Sequence, residues 1–501
     1  MSKRSRYLYF IILSSVCSMV GCGATVGSRV SPDPVEVYQI VTVSDLHFNP
    51  LYDQSLYSQL SAANPATRWA GIYQGSVVKA PTGAGTDTNY PLLVLTLTSM
   101  QQNVKSSPVV LFTGDLLGHN IPANFCKAYY ASLNQAMPPA CASNPGQTVG
   151  PLMEQFINNT FTFVATQIRQ FMGPVPVIYV PGNIDAYLGS AGPDTTFLTN
   201  NAPTVYSQFL NSSPDRQTFL NTFTLDGYYS VAPLGSKLLV IGLNTNSFMV
   251  GAPSSGDASA ELSWLDSQLA TAQAAGQKVW ILMHVPPGAN SQLIAPVAVI
   301  PENVPGDVEA NPALMMWQSS LQITFMQTLG KYPGLVTLML AGHTHMDEFR
   351  ILPTGDVLEQ LPGISPCFGN NPAFKVLTIT QNTFTPTDYQ SFYYNLAAMP
   401  APFSALYQFS TTYGAQATLS NSLGQLYPQF ATDQSKQGTY TLLYSSGNTS
   451  MNPLTLTPWN PINDVNWPIF GCTIGEADQS GYITCVSSSQ TSSTDSATSH
   501  R

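Results

Sequence analysis

Leu335-Val336-Thr337-Leu338-Met339-Leu340-Ala341, followed directly by Gly342-His343-Thr344-His345, is the stretch whose reading decides the fold. The apolar run is short, continuous and rich in branched side chains, which predicts a buried strand. Side chains at i and i+2 of a strand share a side. An extended backbone past Ala341 would therefore turn His343 and His345 the same way, beyond the strand end. Gly342 lets the chain turn sharply and approach other backbone closely. Two imidazoles converging at a strand tip suit a divalent metal. Alone, the tetrapeptide reads more readily as an ordinary loop carrying two polar histidines.

The same arrangement recurs along the chain. A strand over residues 37–43 ends at Ser44-Asp45-Leu46-His47, and one over 108–112 ends at Thr113-Gly114-Asp115. Residues 175–180 lead into Pro181-Gly182-Asn183, and 279–283 into His284-Val285-Pro286-Pro287-Gly288. Between these runs, helical spacing is found over 92–104, 153–171, 259–275 (with Gly276 as the stop) and 317–329. Further strands are expected at 228–231, 237–243, 356–360 and 374–380. Alternating strands and helices predict an α/β fold, and ligands of such folds sit beyond the carboxyl ends of strands. The chain has 6 histidines, and all except His500 lie in these strand-end clusters or, as His119 does, just after one.

Taken singly, Asp45, Asp115 and Asn183 read as caps or turn residues, and His284 as a buried neutral imidazole. Taken together, Asp45, His47, Asp115, Asn183, His284, His343 and His345 supply two carboxylates, one amide and four imidazoles. That mixed nitrogen and oxygen set suits zinc, iron or manganese rather than calcium or magnesium.

The ordered series Asp45-Leu46-His47, Gly114-Asp115, Gly182-Asn183, His284 and Gly342-His343-Thr344-His345 resembles the calcineurin-like metallophosphoesterases. The resemblance spans about 300 residues, and it implies a four-layer α/β/β/α sandwich of two mixed sheets with a dinuclear site. By that analogy Asp45, His47 and His345 hold one divalent metal, Asn183, His284 and His343 hold the other, and Asp115 bridges them. A metal-bridging hydroxide would then attack the phosphoester. Thr113-Gly114-Asp115-Leu116-Leu117-Gly118-His119 and Gly369-Asn370-Asn371-Pro372-Ala373-Phe374 are similar to segments of the acid sphingomyelinase-like phosphodiesterase branch. That narrower likeness makes His119 the catalytic acid, leans the metal toward zinc, and points to a sphingomyelinase-like or nucleotide-type substrate. One departure stands out: the family's Gly-Asn-His is Gly182-Asn183-Ile184-Asp185 here, and an isoleucine side chain neither protonates a leaving group nor stabilises a phosphoryl group. Asp185 reads more naturally as a solvated turn residue than as a substitute. The alternatives to a phosphodiesterase are a non-catalytic metal- or phosphate-binding protein of the same fold and a phosphomonoesterase.

Composition sets the remaining bounds. Hydrophobic residues make up 44% of the 501, enough for a large core. Charged residues are 9%, against roughly 25% in an average protein, which leaves a surface of uncharged polar groups as in exported proteins. A net charge of −10 argues against a nucleic-acid polymer as partner and leaves a small-molecule or lipid phosphoester. Residues 1–24 have the basic start, apolar stretch and small residues of an export signal, followed by a linker over 25–37. Met19-Val20-Gly21-Cys22 resembles a bacterial lipoprotein box, with Cys22 as the lipid carrier and membrane attachment as the result, ordinary cleavage and secretion being the alternative. Cys126 with Cys141, and Cys472 with Cys485, are close enough to close short loops in an oxidising compartment, leaving Cys367 free. The core domain is expected over 38–397, with residues 121–151 as an insertion loop. A less regular extension follows over 398–486, then a disordered Ser/Thr-rich tail over 487–501.

Overall fold

The structure is a computed structural model that describes residues 36–105, 107–188, 194–211, 215–252, 257–297, 314–452, 455 and 457–498. Residues 1–35, with the export signal, the linker's first part and Cys22, lie outside the described residues. The strands, in chain order, are β1 (Val37–Val43), β2 (Val110–Phe112), β3 (Val177–Tyr179), β4 (Tyr229–Val231), β5 (Leu238–Gly242), β6 (Lys278–Leu282), β7 (Val336–Ala341), β8 (Glu348–Ile351), β9 (Val357–Gln360), β10 (Ala373–Thr380), β11 (Pro386–Tyr393) and β12 (Ser404–Gln408). They form two 6-stranded sheets of order β12-β11-β10-β1-β2-β3 and β4-β5-β6-β7-β9-β8. β1, β2 and β3 run parallel in the first sheet, and β5, β6, β7 and β9 in the second. The remaining pairings are antiparallel, so both sheets are mixed.

The alternation of side chains along the second sheet builds the layers. Leu238, Val240, Trp280, Leu282, Leu338 and Leu340 enter the core shared with the first sheet. Their neighbours Ile241, Val279, Ile281 and Met339 point the other way, into a second core with the helices Asp257–Ala274 and Ser319–Gly330. The first sheet is covered on its outer side by the helices Tyr90–Val104 and Pro145–Met172 through Leu93, Leu97, Met153 and Phe156. The order is helices, sheet, sheet, helices. Both helix starts are capped as their sequences require: Asn89 accepts from Leu92 N at 3.1 Å, and Asn144 from Gln147 N at 3.4 Å, each with proline in the first turn.

A buried ionic cluster crosses between the sheets. Lys375 on β10 is fully buried and pairs with Glu359 on β9 at 2.9 Å and with Asp347 at 2.7 Å. Its ammonium also stands 4.1 Å from the Tyr389 ring centre, and Tyr407 Oη donates to Asp347 Oδ2 at 2.9 Å. Burial works against the ammonium, but the two carboxylates hold Lys375 charged, with its pKa raised.

Three expectations are corrected. Residues 121–151 are not a loop: helices span Ile121–Ser132 and Pro139–Ser143, and the long helix begins at Pro145. Pro122, Pro139 and Pro145 occupy first-turn positions there, where no amide hydrogen is needed, and Pro151 follows the kink that non-helical Val149 puts into the long helix. Beyond residue 397 the chain stays in the fold, with β12 pairing to β11 and helices such as Leu419–Leu426, Gln434–Tyr444 and Trp467–Gly475 placing Leu423, Tyr444 and Phe470 in the main core. The helix Gln479–Thr498 runs through most of the expected disordered tail. Its first turns are held by buried Tyr482 and Val486 and by a Cys472–Cys485 disulfide, so the polar remainder extends a helix already nucleated.

Candidate functional site

β1, β2, β3, β6 and β7 all end at the same edge of the two sheets, and the polar clusters leave from those ends. Asp45 and His47 follow β1, Asp115 follows β2, Asn183 follows β3, His284 follows β6, and His343 and His345 follow β7. The structure brings all of them together. His47 Nε2 lies 3.0 Å from His345 Nε2, and His345 Nε2 lies 3.4 Å from Asp45 Oδ1. Asn183 Oδ1 lies 3.0 Å from His284 Nε2 and 2.9 Å from His343 Nδ1. Asp115 joins the two groups: its Oδ2 is 3.4 Å from His47 Nε2 and 3.1 Å from His284 Nε2.

The convergence does not come from continued strand geometry. Asp45, His47, Asp115, His343 and His345 have φ of 50°, 43°, 57°, 77° and 63°, in the left-handed region that side chains other than glycine rarely adopt. Alternate residues in this conformation sent His343 to Asn183 and His345 to His47, so the two histidines serve different donor groups instead of pointing the same way. Such strain concentrates at functional sites. Gly342 is needed for proximity: a Cβ there would collide with Ser44 Oγ and stand 2.8 Å from Asp45 Oδ2. A Cβ on Gly182 would fall on the Asp115 carboxylate.

Backbone carbonyls set the histidine tautomers. His47 Nδ1 faces Leu117 O at 3.0 Å, His284 Nδ1 faces Thr113 O at 2.7 Å, and His345 Nδ1 faces Ser365 O at 3.0 Å. A carbonyl only accepts, so each Nδ1 carries the hydrogen and each Nε2 presents a lone pair. Two such lone pairs 3.0 Å apart, at His47 and His345, repel unless a proton or a cation stands between them. The electrostatics agree. Burial opposes charge at every position, yet the imidazoles hold Asp45 at about 2 and hold Asp115 lower still. The carboxylates in turn push His47 and His284 up to about 9. Burial wins at His343 and His345, which fall to about 4 and about 3. Two carboxylates thus demand two positive charges at the donor groups, and divalent cations fit the residues present.

His119 stands at the rim. Its ring stacks on His47 with centroids 3.9 Å apart, and one of its nitrogens lies within 4.8 Å of those of His47 and His345. Asp87 grips it twice, with Oδ1 2.8 Å from the ring Nδ1 and Oδ2 2.8 Å from the backbone amide. Burial disfavours that carboxylate, but the His119 hydrogen bonds hold Asp87 below the usual range. The pair opens on a cleft of about 600 Å3 lined by Asn49, Tyr52, Asn124, Ile184, Leu188 and Phe368. Asp87 carries no sequence signal, since it follows no strand and sits in a turn-rich connection.

Asp185 is not a solvated turn residue. It is 3% exposed and accepts from Leu116 N at 2.9 Å, Leu117 N at 3.0 Å, Gly182 N at 3.0 Å and Tyr179 Oη at 2.7 Å. It bolts the Asn183 turn to the segment that follows Asp115. The neighbouring Ile184 contributes through its backbone, donating to Asp115 Oδ1 at 2.8 Å. Asp185→Ala would leave these buried donors unpaired and is expected to lower unfolding free energy by about 2–3 kcal/mol. Urea denaturation would measure this, and a loss under about 0.5 kcal/mol, the level of a surface substitution, would return the residue to solvent.

Comparison with known proteins identifies the family. The family model described as Calcineurin-like phosphoesterase matches residues 38–347. Human sphingomyelin phosphodiesterase is 23% identical over 320 residues, covering 58% of this chain and 46% of that protein. Sphingomyelinase phosphodiesterase C of Dictyostelium discoideum is 25% identical, covering 49% of this chain and 54% of its own. The chain thus spans about half the length of these curated relatives. Human cyclic GMP-AMP phosphodiesterase SMPDL3A is 22% identical over 460 residues, with 85% and 88% covered. Among solved structures, a dimetal phosphatase from Danio rerio aligns at TM-score 0.38 and 12% identity, covering 74% of this chain and 99% of that one. The chain belongs to the calcineurin-like phosphoesterase family, on its acid sphingomyelinase-like branch.

Proposed function

We propose that the chain is a metal-dependent phosphodiesterase acting on a small-molecule or lipid phosphodiester. The observation that carries this reading is the pair of donor groups sharing Asp115, with a carboxylate-oriented histidine stacked beside them on His47 and lining a cleft. Asp45, His47 and His345 would hold one cation, Asn183, His284 and His343 the other, and Asp115 both. The imidazole-rich set favours zinc. Bound there, the cations supply an acidified water and a counter-charge for the phosphoryl oxygens.

The protein's own groups do the rest. The carbonyls of Leu117, Thr113 and Ser365 fix the imidazole tautomers. Asp87 fixes the orientation of the His119 ring, so that His119 would deliver a proton to the departing oxygen. Ile184 fills the place beside Asn183 where the family carries a second histidine, which leaves His119 as the proton source. Among the described residues lining the cleft there is no lysine or arginine. Beyond the cations and His119, a monoester dianion would find no basic side chain there for its second charge, which favours a diester. Tyr52, Leu188 and Phe368 are 39%, 59% and 45% exposed and give the cleft an apolar edge suited to a lipid or aromatic leaving group.

Turnover of bis-p-nitrophenyl phosphate by metal-loaded protein, compared with p-nitrophenyl phosphate, tests the reading. The diester is expected to be the better substrate, and the reverse preference would make the chain a monoesterase. His119→Ala should retain metal and slow diesters with alkyl leaving groups by about 100-fold, while p-nitrophenyl esters lose far less. Equal slowing of both would remove the acid role.

Export fits the Cys126–Cys141 and Cys472–Cys485 disulfides, both formed in the structure. Among the described residues no helix is long and apolar enough to cross a membrane; membrane attachment, in this reading, is by a lipid on Cys22. Mass spectrometry of the mature N-terminal peptide distinguishes a lipidated cysteine from simple cleavage.

A further inference from the structure

Cys367 is the described cysteine without a disulfide partner. It belongs to the turn after Ser365, whose carbonyl holds His345, and its Sγ lies 3.8 Å from His345 Nδ1. That is the ring edge opposite the Nε2 facing Asp45, so the thiol stands outside the two donor groups already described. On its other side are Asp87 and His119. One ligand atom from each of Asp87, His119 and Cys367 lies within 4.8 Å of the others. All three side chains are half-buried and line the same cleft, so the cluster is open to solutes.

We propose that Asp87, His119 and Cys367 form a third cation site, selective for zinc or cadmium over magnesium and calcium, whose occupancy switches the enzyme off. A thiolate, an imidazole and a carboxylate are a zinc-type set, and sulfur rejects hard cations. Ligands about 2.0–2.3 Å from one zinc ion stand roughly 3.3–3.8 Å apart, so the present spacing closes by side-chain rotation. Water from the cleft completes the coordination. Sulfur binds as thiolate: its S–H bond breaks, the proton passes to water, and the metal–sulfur bond forms. One carboxylate and one thiolate then neutralise the divalent ion. The inhibitory half of the proposal rests on His119 being the acid. An imidazole that ligates a cation cannot become imidazolium, and Asp87 is drawn from His119 to the ion.

The test uses the full chain with its two-cation site filled, titrated with zinc in a magnesium background. Bound metal, iodoacetamide labelling of Cys367 mapped by peptide mass spectrometry, and bis-p-nitrophenyl phosphate turnover relative to each protein's rate before zinc is added are followed together. The wild type is expected to take up one zinc equivalent more than Cys367→Ser or Cys367→Ala. Zinc, but not magnesium, should slow Cys367 labelling by about tenfold or more. Turnover should fall as that equivalent fills, with either variant needing at least roughly tenfold more zinc for the same inhibition. Equal stoichiometry in all three proteins, or labelling indifferent to zinc, would overturn the site. Uptake and protection with unchanged turnover would support the site and remove His119 as the acid, so the two readings fail separately.

Discussion

Asp115→Asn is expected to reduce kcat/KM for bis-p-nitrophenyl phosphate by on the order of 10,000-fold and to lower the divalent metal retained after dialysis. The reason lies in its two oxygens. Oδ2 is 3.4 Å from His47 Nε2 and 3.1 Å from His284 Nε2, while Oδ1 accepts from Ile184 N at 2.8 Å. An amide fills only one of these roles. With its oxygen toward the imidazoles, its NH2 meets the Ile184 amide, donor against donor. Flipped, it turns NH2 toward the cations. In both orientations one negative charge is gone from a site that needs two. Elemental analysis alongside the rate separates a lost ligand from a lost fold, provided the melting transition is also recorded. Full activity with full metal content would remove Asp115 from the shared position.

Lys375→Met is expected to lower unfolding free energy by about 3–5 kcal/mol, the largest stability effect anticipated for one substitution here. The ammonium is fully buried and neutralises Asp347 and Glu359 at 2.7 and 2.9 Å. Methionine fills the space yet leaves two carboxylates facing each other without water. The triple change Lys375→Met, Asp347→Asn, Glu359→Gln should recover much of the loss, because the charges leave together. Urea melts of the single and triple variants measure both quantities. A single variant as stable as the wild type would mean that water reaches the cluster. Asp347 lies two residues beyond His345, so the damaged protein should also hold metal less well.

The strand ends were legible because apolar runs closed by Gly, Asp, Asn or His are a local signal, and five such runs in order leave few folds open. Parallel strands then carried those ends to one edge. What the sequence hid depended on contacts distant along the chain. Asp87 reaches His119 from a connection that looks like any turn, and nothing near it announces a partner 32 residues on. Asp185 has the composition of an exposed turn and the environment of a core residue, because its acceptors are consumed by amides after Asp115. The parting of His343 from His345 is a matter of φ, which side-chain types do not encode. The helices beyond residue 397 have weak periodicity and form against a surface that the rest of the chain supplies.

The donors hang from both sheets: Asp45, His47, Asp115 and Asn183 from the first, and His284, His343 and His345 from the second. Neither sheet owns a complete set for either cation, since His345 joins Asp45 and His47, while Asn183 joins His284 and His343. Metal capture by these residues would therefore be a late event in the life of the chain, possible only once the two sheets have docked. Cations bound there would act as rivets through the seam, and the moment of their uptake would be a clock for the final step of maturation.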